Sequence, residues 1–160
     1  REIDIVIARH HVLTGDWAAL YDEIAAFRAA AGAAHIKAIL ATGELGSLSH
    51  VARASLVAMM AGADFIKTST GKEAVNATLP VGLLMARAIA AYRAETGHAV
   101  GFKPAGGISS ADAALSWMAL MRGTLGEAWL SPHLFRFGAS SLLGAIRAEL
   151  RAHAGKDDRA

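Results

Sequence analysis

The chain has 160 residues and 16.6 kDa, enough for one domain with a real core. Apolar residues make up 54% and charged residues 19%, which excludes a disordered tail, and alanine at roughly a quarter of the chain suits packed helices. A formal charge of +2 with no basic run excludes a strongly basic nucleic-acid binder, and the absence of cysteine excludes disulfides, thiolate metal sites and cysteine nucleophiles.

Five short apolar runs read as strands buried on both faces: residues 3–7, 35–40, 64–68, 99–103 and 134–137. Their starts lie 32, 29, 35 and 35 residues apart, the length of a strand, a helix and two loops. The first run is already under way at the start of the chain, which opens on Arg1 without a signal-peptide pattern. His10 and His11 fall in the loop that follows, with no carboxylate cluster to make them a metal site.

Asp16 caps a helix over 17–31 that Gly32 ends. Ser47 or Ser49 opens a second helix that stops at Gly62. Thr78, with Pro80 close behind, opens a third that Gly97 closes. Ser109 or Ser110 opens a fourth, running through Met121 with Gly123 after it. The last starts near Ser140 or Ser141, runs to about His153, and leaves residues 155–160 as a polar, frayed tail. Trp17, Trp117, Trp129, Met59 and Met60 fit core or interface positions, and Arg87 and Arg93 a solvated helix face.

Strand–helix alternation leaves two architectures, the open doubly wound sheet and the closed (β/α)8 barrel. Both place their sites at the carboxyl ends of the strands, where this chain carries its chemistry. Lys67 ends one buried strand and Lys103 the next. A buried lysine calls for a reason, and an amine nucleophile that forms a Schiff base with a carbonyl substrate supplies one. Side chains sharing a layer on neighbouring strands would bring the two ammonium groups roughly 5 Å apart, with a repulsion of about 3 kcal/mol at an effective dielectric of about 20. That repulsion favours an uncharged amine. Lys37 and Asp4 lie on the two preceding strands, Asp4 being suited to relay protons through water.

Three glycine-bearing loops follow successive strands: Thr70-Gly71-Lys72, Gly106-Gly107 and Gly138-Ala139-Ser140-Ser141. Glycine lets backbone N–H groups approach an anion, and two of the loops open helices whose dipoles favour negative charge. Together they predict a phosphate site.

At these residues the sequence resembles the deoxyribose-phosphate aldolase family. The matching stretches include Glu2-Ile3-Asp4-Ile5-Val6, the run from Lys37 to Leu45, the run from Gly62 to Lys72, Val75-Asn76-Ala77-Thr78, the run from Gly101 to Ile108 and the run from Phe135 to Leu143. The resemblance implies a cytoplasmic class I aldolase on a (β/α)8 TIM barrel, using neither metal nor cofactor. Its reaction would be the reversible cleavage of 2-deoxy-D-ribose 5-phosphate to D-glyceraldehyde 3-phosphate and acetaldehyde. It makes Lys67 the Schiff-base lysine, Lys103 its tuning neighbour, Asp4 the proton relay and Lys37 a supporting residue. Gly71, Lys72, Gly106, Gly107, Gly138, Ser140 and Ser141 would hold the phosphate. Two departures stand out: Ser109 lies where the family tends to have Arg or another polar residue, and the tail has no Tyr.

Five βα units are expected in residues 1–154, against the eight of a barrel; three more of about 32 residues give roughly 256, the usual barrel size. The chain is therefore expected to match the C-terminal five-eighths of the enzyme. Alone, its sheet is expected to expose two edges and an apolar inner face, and to need a homodimer or a complementing N-terminal segment. Neither nucleic acid nor membrane is expected as a partner. The rival readings are another Schiff-base sugar-phosphate aldolase, or an inactive phosphate-binding fragment.

Overall fold

The computed structural model describes residues 1–157. Four parallel strands, β1 (Glu2–Val6), β2 (His35–Ile39), β3 (Phe65–Lys67) and β4 (Gly101–Lys103), form one sheet in chain order. Helices cover one of its faces: α1 (Arg9–Thr14), α2 (Trp17–Ala31), α3 (Leu48–Met60), α4 (Leu79–Thr96), α5 (Ala111–Leu125) and α6 (Leu142–Asp157). The outward side chains Ile36, Ala38, Leu40, Ile66 and Phe102 have no exposure and join Leu20, Ile24, Met85, Ile89 and Met121 from the helices in one core. Among the described residues no helix is long and apolar enough to cross a membrane.

The helix starts follow the expected chemistry. The side chains of Asp16, Ser47 and Ser110 accept from the N–H groups of Ala19, His50 and Ala113. Thr78 precedes α4 without a side-chain cap bond, Pro80 lying in the first turn. Three expectations are corrected. His10 and His11 lie within α1, which ends at Gly15 in the left-handed region (φ 75°). Gly123 does not end α5, which runs on to Leu125 and closes at Gly126; one exposed helical glycine costs about 1 kcal/mol, and burial of Met121 on the same helix outweighs that. Helix α6 continues to Asp157, into the segment read as tail; residues 158–160 lie outside the described residues.

The fifth apolar run is not a regular strand. Phe102 N–H donates to the Leu134 carbonyl (2.8 Å), and Arg136 N–H to the Phe102 carbonyl (3.1 Å). Further along, Gly138 N–H donates to the Pro104 carbonyl (2.8 Å) and Gly106 N–H to the Gly138 carbonyl (3.1 Å). The donor due between these two pairs belongs to Pro104, which has no N–H, so the ladder breaks into two isolated bridges, Phe102 with Phe135 and Ala105 with Gly138. The run still lies parallel beside β4.

Registered partners in a parallel ladder share a face. The pairs Asp4 with Lys37, Ile39 with Lys67, and Lys67 with Lys103 therefore put three lysines and Asp4 on the face opposite the helices. The inner face expected to be apolar carries Val6, Ile39 and Phe65 but is crossed by charge, because Glu2 and Arg136 also point that way and pair across it (2.7 Å). Exposed apolar side chains occur on β1, where Ile3 and Val6 are 43% and 46% exposed.

Phe65 lies across Gly101, its registered partner: a Cβ built on Gly101 would fall 2.3 Å from the ring. Gly101→Ala is expected to lower the unfolding free energy by about 1–3 kcal/mol, the range for overpacking a filled core, read as a lower urea midpoint at unchanged slope.

Candidate active site

The site begins with Asp4. Its Oδ2 accepts from Lys67 Nζ (2.8 Å) and Lys103 Nζ (3.0 Å), and its Oδ1 from Lys37 Nζ (3.2 Å). One carboxylate on β1 thus gathers lysines from β2, β3 and β4. Lys67 and Lys103 share a single oxygen, so their ammonium groups are immediate neighbours, as the layer argument required. Lys67 is 8% exposed and Lys37 4%. Lys37 also pairs with Glu2 (2.9 Å), which holds Arg136 through both carboxylate oxygens (2.7 and 2.8 Å). Four cations thus face two carboxylates. The sequence reading missed Glu2 and Arg136; the signal for Glu2 was its place two residues before Asp4 on the same strand face.

Burial raises the Asp4 carboxyl, but the hydrogen bonds from Lys67, Lys103 and Lys37 outweigh it and hold the group well below the usual carboxylate range. Hydrogen bonds from Arg136 and Lys37 lower Glu2 from 4.5 to about 2.

Beyond the strand ends, hydroxyls replace the ladder. The Thr68 hydroxyl accepts from Ala105 N–H (2.9 Å), and the Ser69 hydroxyl donates to the Ala105 carbonyl (2.7 Å). Both residues are fully buried. They stitch the loop after β3 to the loop after β4 and bring the glycines together. The loops enclose a cavity of about 430 Å³ lined by Thr70, Gly71 and Lys72, by Gly106, Gly107, Ile108 and Ser109, and by Gly138, Ala139, Ser140 and Ser141. All seven residues expected at a phosphate line it, as does Ser109. Lys103 lies near Gly138 of that lining: a Cβ on Gly138 would lie 3.6 Å from Lys103 Cε and 2.5 Å from Ala105 Cβ, so only glycine fits there. Two residues separate Lys67 from Thr70 and Lys103 from Gly106, three steps or about 10 Å of extended chain.

Two residues that the sequence reading did not single out as functional shape the first loop. The N–H groups of Thr70, Gly71 and Lys72 turn to the Glu73 carboxylate. Asn76 Oδ1 lies 2.9 Å from the Ser69 hydroxyl, sharing its one proton with the Ala105 carbonyl, and the Asn76 amide donates to the Glu73 carbonyl (2.7 Å). The Asx and Glu side chains following Gly-Lys were the available signal. The rings of His10 and His11 lie 3.9 Å apart, centre to centre, tilted by 45°, and among the described residues no three His, Asp or Glu side chains converge as a metal ion would require. Arg93 lies over the Trp129 ring (4.8 Å), not on a purely solvated face.

A parallel α/β sheet with a buried amine at its strand ends and a glycine-walled cavity beside it defines the class: an α/β protein with a strand-end site. A family model described as DeoC/LacD family aldolase matches residues 1–142, and the chain belongs to that family. It is 62% identical to mouse deoxyribose-phosphate aldolase over 95% of its own length and 48% of that protein's. With the Agrobacterium fabrum deoxyribose-phosphate aldolase it shares 46% identity, over 91% of this chain and 55% of the relative. The chain spans about half the length of the curated relatives it matches. A Toxoplasma gondii crystal structure shares the fold at a TM-score of 0.84 and 24% identity, over 92% of this chain and 59% of that one. The tetrameric deoxyribose phosphate aldolase structure from Aeropyrum pernix does so at 0.68 and 22%, over 92% and 54%.

Both carboxyls titrate lower in the folded protein than in the unfolded chain. Their stabilisation is present above the unfolded values and is lost as pH falls through the folded ones. The urea midpoint is therefore expected to fall as pH drops from about 4.5 toward 2, the span of the Glu2 shift, and to fall further as Asp4 protonates. Asp4→Asn is expected to flatten the acid end of that curve.

Proposed function

We propose that these residues form the active site of a class I aldolase that reversibly cleaves 2-deoxy-D-ribose 5-phosphate to D-glyceraldehyde 3-phosphate and acetaldehyde. The observation that carries this reading is the pair of lysines on one oxygen of Asp4, beside a glycine-walled cavity. On this reading Lys67 is the nucleophile. Attack needs its amine uncharged, and Lys103, bonded to the same carboxylate oxygen, keeps Asp4 partnered when Lys67 turns to the substrate.

The amine adds to the C1 carbonyl, and loss of water leaves an iminium ion. Asp4, acting through water, takes the proton of the C3 hydroxyl. The C3–O bond becomes the carbonyl of glyceraldehyde 3-phosphate, while the electron pair of the C2–C3 bond moves into the iminium and forms an enamine. Protonation at C2 and addition of water then release acetaldehyde and the free amine. Lys37, bridging Glu2 and Asp4, orients the carboxylate. Lys72, Gly106, Gly107, Gly138, Ser140 and Ser141 hold the phosphate, Gly71 stands in the wall beside them with its N–H turned to Glu73, and Ser109 joins them. Phosphate binding away from the reacting carbons aligns C1 with Lys67.

Residues 1–154 serve as the last five βα units of a (β/α)8 barrel, the Leu134–Phe137 run standing as the fifth strand position in its Pro104-interrupted form. The exposed β1 edge suits pairing with a complementing segment or a second copy. A cytoplasmic location fits the small phosphorylated substrate.

Incubation with acetaldehyde followed by borohydride reduction is expected to leave a two-carbon adduct on Lys67, found by mass spectrometry of peptides. An adduct on Lys103 would exchange the two lysines' roles. Asp4→Asn is expected to keep the adduct while lowering kcat about 10²- to 10⁴-fold, the usual worth of a positioned proton carrier; unchanged turnover would remove that role. Product analysis separates this reaction from that of other Schiff-base aldolases, which do not release acetaldehyde.

A further inference from the structure

Glu73 takes no part in the chemistry above, yet its carboxylate is the hub of the first cavity loop. Both of its oxygens accept from Thr70 N–H (3.0 and 3.1 Å). Its Oε2 also accepts from Gly71 N–H (3.1 Å), Lys72 N–H (3.1 Å) and the Thr70 hydroxyl (2.8 Å). Consecutive backbone N–H groups turned to one anion form a nest. Here the anion is supplied by the chain itself.

Position decides what this anion does. Thr70, Gly71 and Lys72 line the cavity, and Glu73 is not among its lining residues. The carboxylate thus bonds three consecutive N–H groups of the wall without itself lining the cavity. The wall is otherwise exposed, and Gly71 takes a left-handed φ of 91°. Asn76 braces the same turn, donating to the Glu73 carbonyl (2.7 Å). Its side chain packs on Gly106, where a Cβ would fall 2.6 Å from Asn76 Cβ. Burial raises the Glu73 carboxyl, and the backbone and hydroxyl bonds from Thr70 outweigh it, so the clamp stays ionised.

We propose that Glu73 is a positioning residue that clamps the Thr70–Lys72 wall and thereby sets the preference for phosphorylated over unphosphorylated substrates. The inference rests on the reading of this cavity as the phosphate site. An exposed loop without the clamp must be ordered by the ligand, and that ordering is subtracted from affinity.

The test compares the unmodified protein with Glu73→Ala and Glu73→Gln, the latter keeping one acceptor oxygen without charge. The dissociation constant of inorganic phosphate is read by calorimetry. The ratio of kcat/KM for 2-deoxyribose 5-phosphate over 2-deoxyribose is read by acetaldehyde release. Glu73→Ala is expected to weaken phosphate about tenfold and to lower the ratio by a similar factor, with Glu73→Gln between it and the unmodified protein. Tighter phosphate binding in Glu73→Ala would make Glu73 a competitor and overturn the proposal. An unchanged ratio would reduce it to a structural residue and overturn it equally. Failure of the unmodified protein to bind phosphate would remove the phosphate reading itself, and the clamp with it.

Discussion

The carboxylate of Asp4 is the constraint on which the inner face depends. Three ammonium groups on three neighbouring strands repel one another, and burial makes each more costly. Asp4 answers all three: one oxygen takes Lys67 and Lys103, the other takes Lys37. This works only in one register. A slip of one residue along β2, β3 or β4 would send its lysine to the helical face, among Ile36, Ile66 and Phe102. The outer face supplies the burial that stabilises the sheet; the ionic face fixes which alignment of the strands is the native one.

The same strands divide their length between two tasks. Regular ladder ends at Lys67 and Lys103, and beyond them Thr68 and Ser69 bond Ala105 through their hydroxyls. The chain can then turn into wide glycine loops without leaving buried backbone groups unpaired. Pro104 serves the same transition from the other side. It withholds one N–H from the 134–137 run, which stays parallel to β4 and still delivers Gly138 to the cavity through two further backbone bonds.

Much of this was legible in the sequence because its causes are local. Strand positions follow from short Val, Ile and Phe runs at even spacing, and the starts of α2, α3 and α5 from Asp16, Ser47 and Ser110. The juxtaposition of Lys67 with Lys103 follows from two strand-end lysines at matching positions. What escaped depends on partners distant in sequence or on competing small terms. Glu2 meets Arg136 across 134 residues, so neither the ionic character of the inner face nor Arg136's part in it could be seen from a run of Ile and Val. Propensity alone makes Gly123 a stop, and the tertiary burial of Met121 on the same helix overrides it. Helix α1 lacks a capping side chain at Ala8, so only the left-handed Gly15 marks it. Glu73 escaped because its bonds are to the backbone of its own loop, and a glutamate after Gly-Lys looks like any solvated charge.

The sharing of one oxygen by two lysines has a consequence for the proposed chemistry that separate ion pairs would not have. A lysine that leaves a one-to-one buried pair to bond a carbonyl carbon abandons its carboxylate, at a cost of about 3–5 kcal/mol for breaking such a pair. At Asp4 no carboxylate is abandoned. When Lys67 gives up its charge, Oδ2 keeps Lys103 and Oδ1 keeps Lys37, while Glu2 and Arg136 are undisturbed. Asp4 thus remains partnered by two cations after Lys67 has turned to the substrate. On the proposed roles, two lysines per oxygen is therefore the arrangement in which Lys67 can leave Asp4 without stranding it.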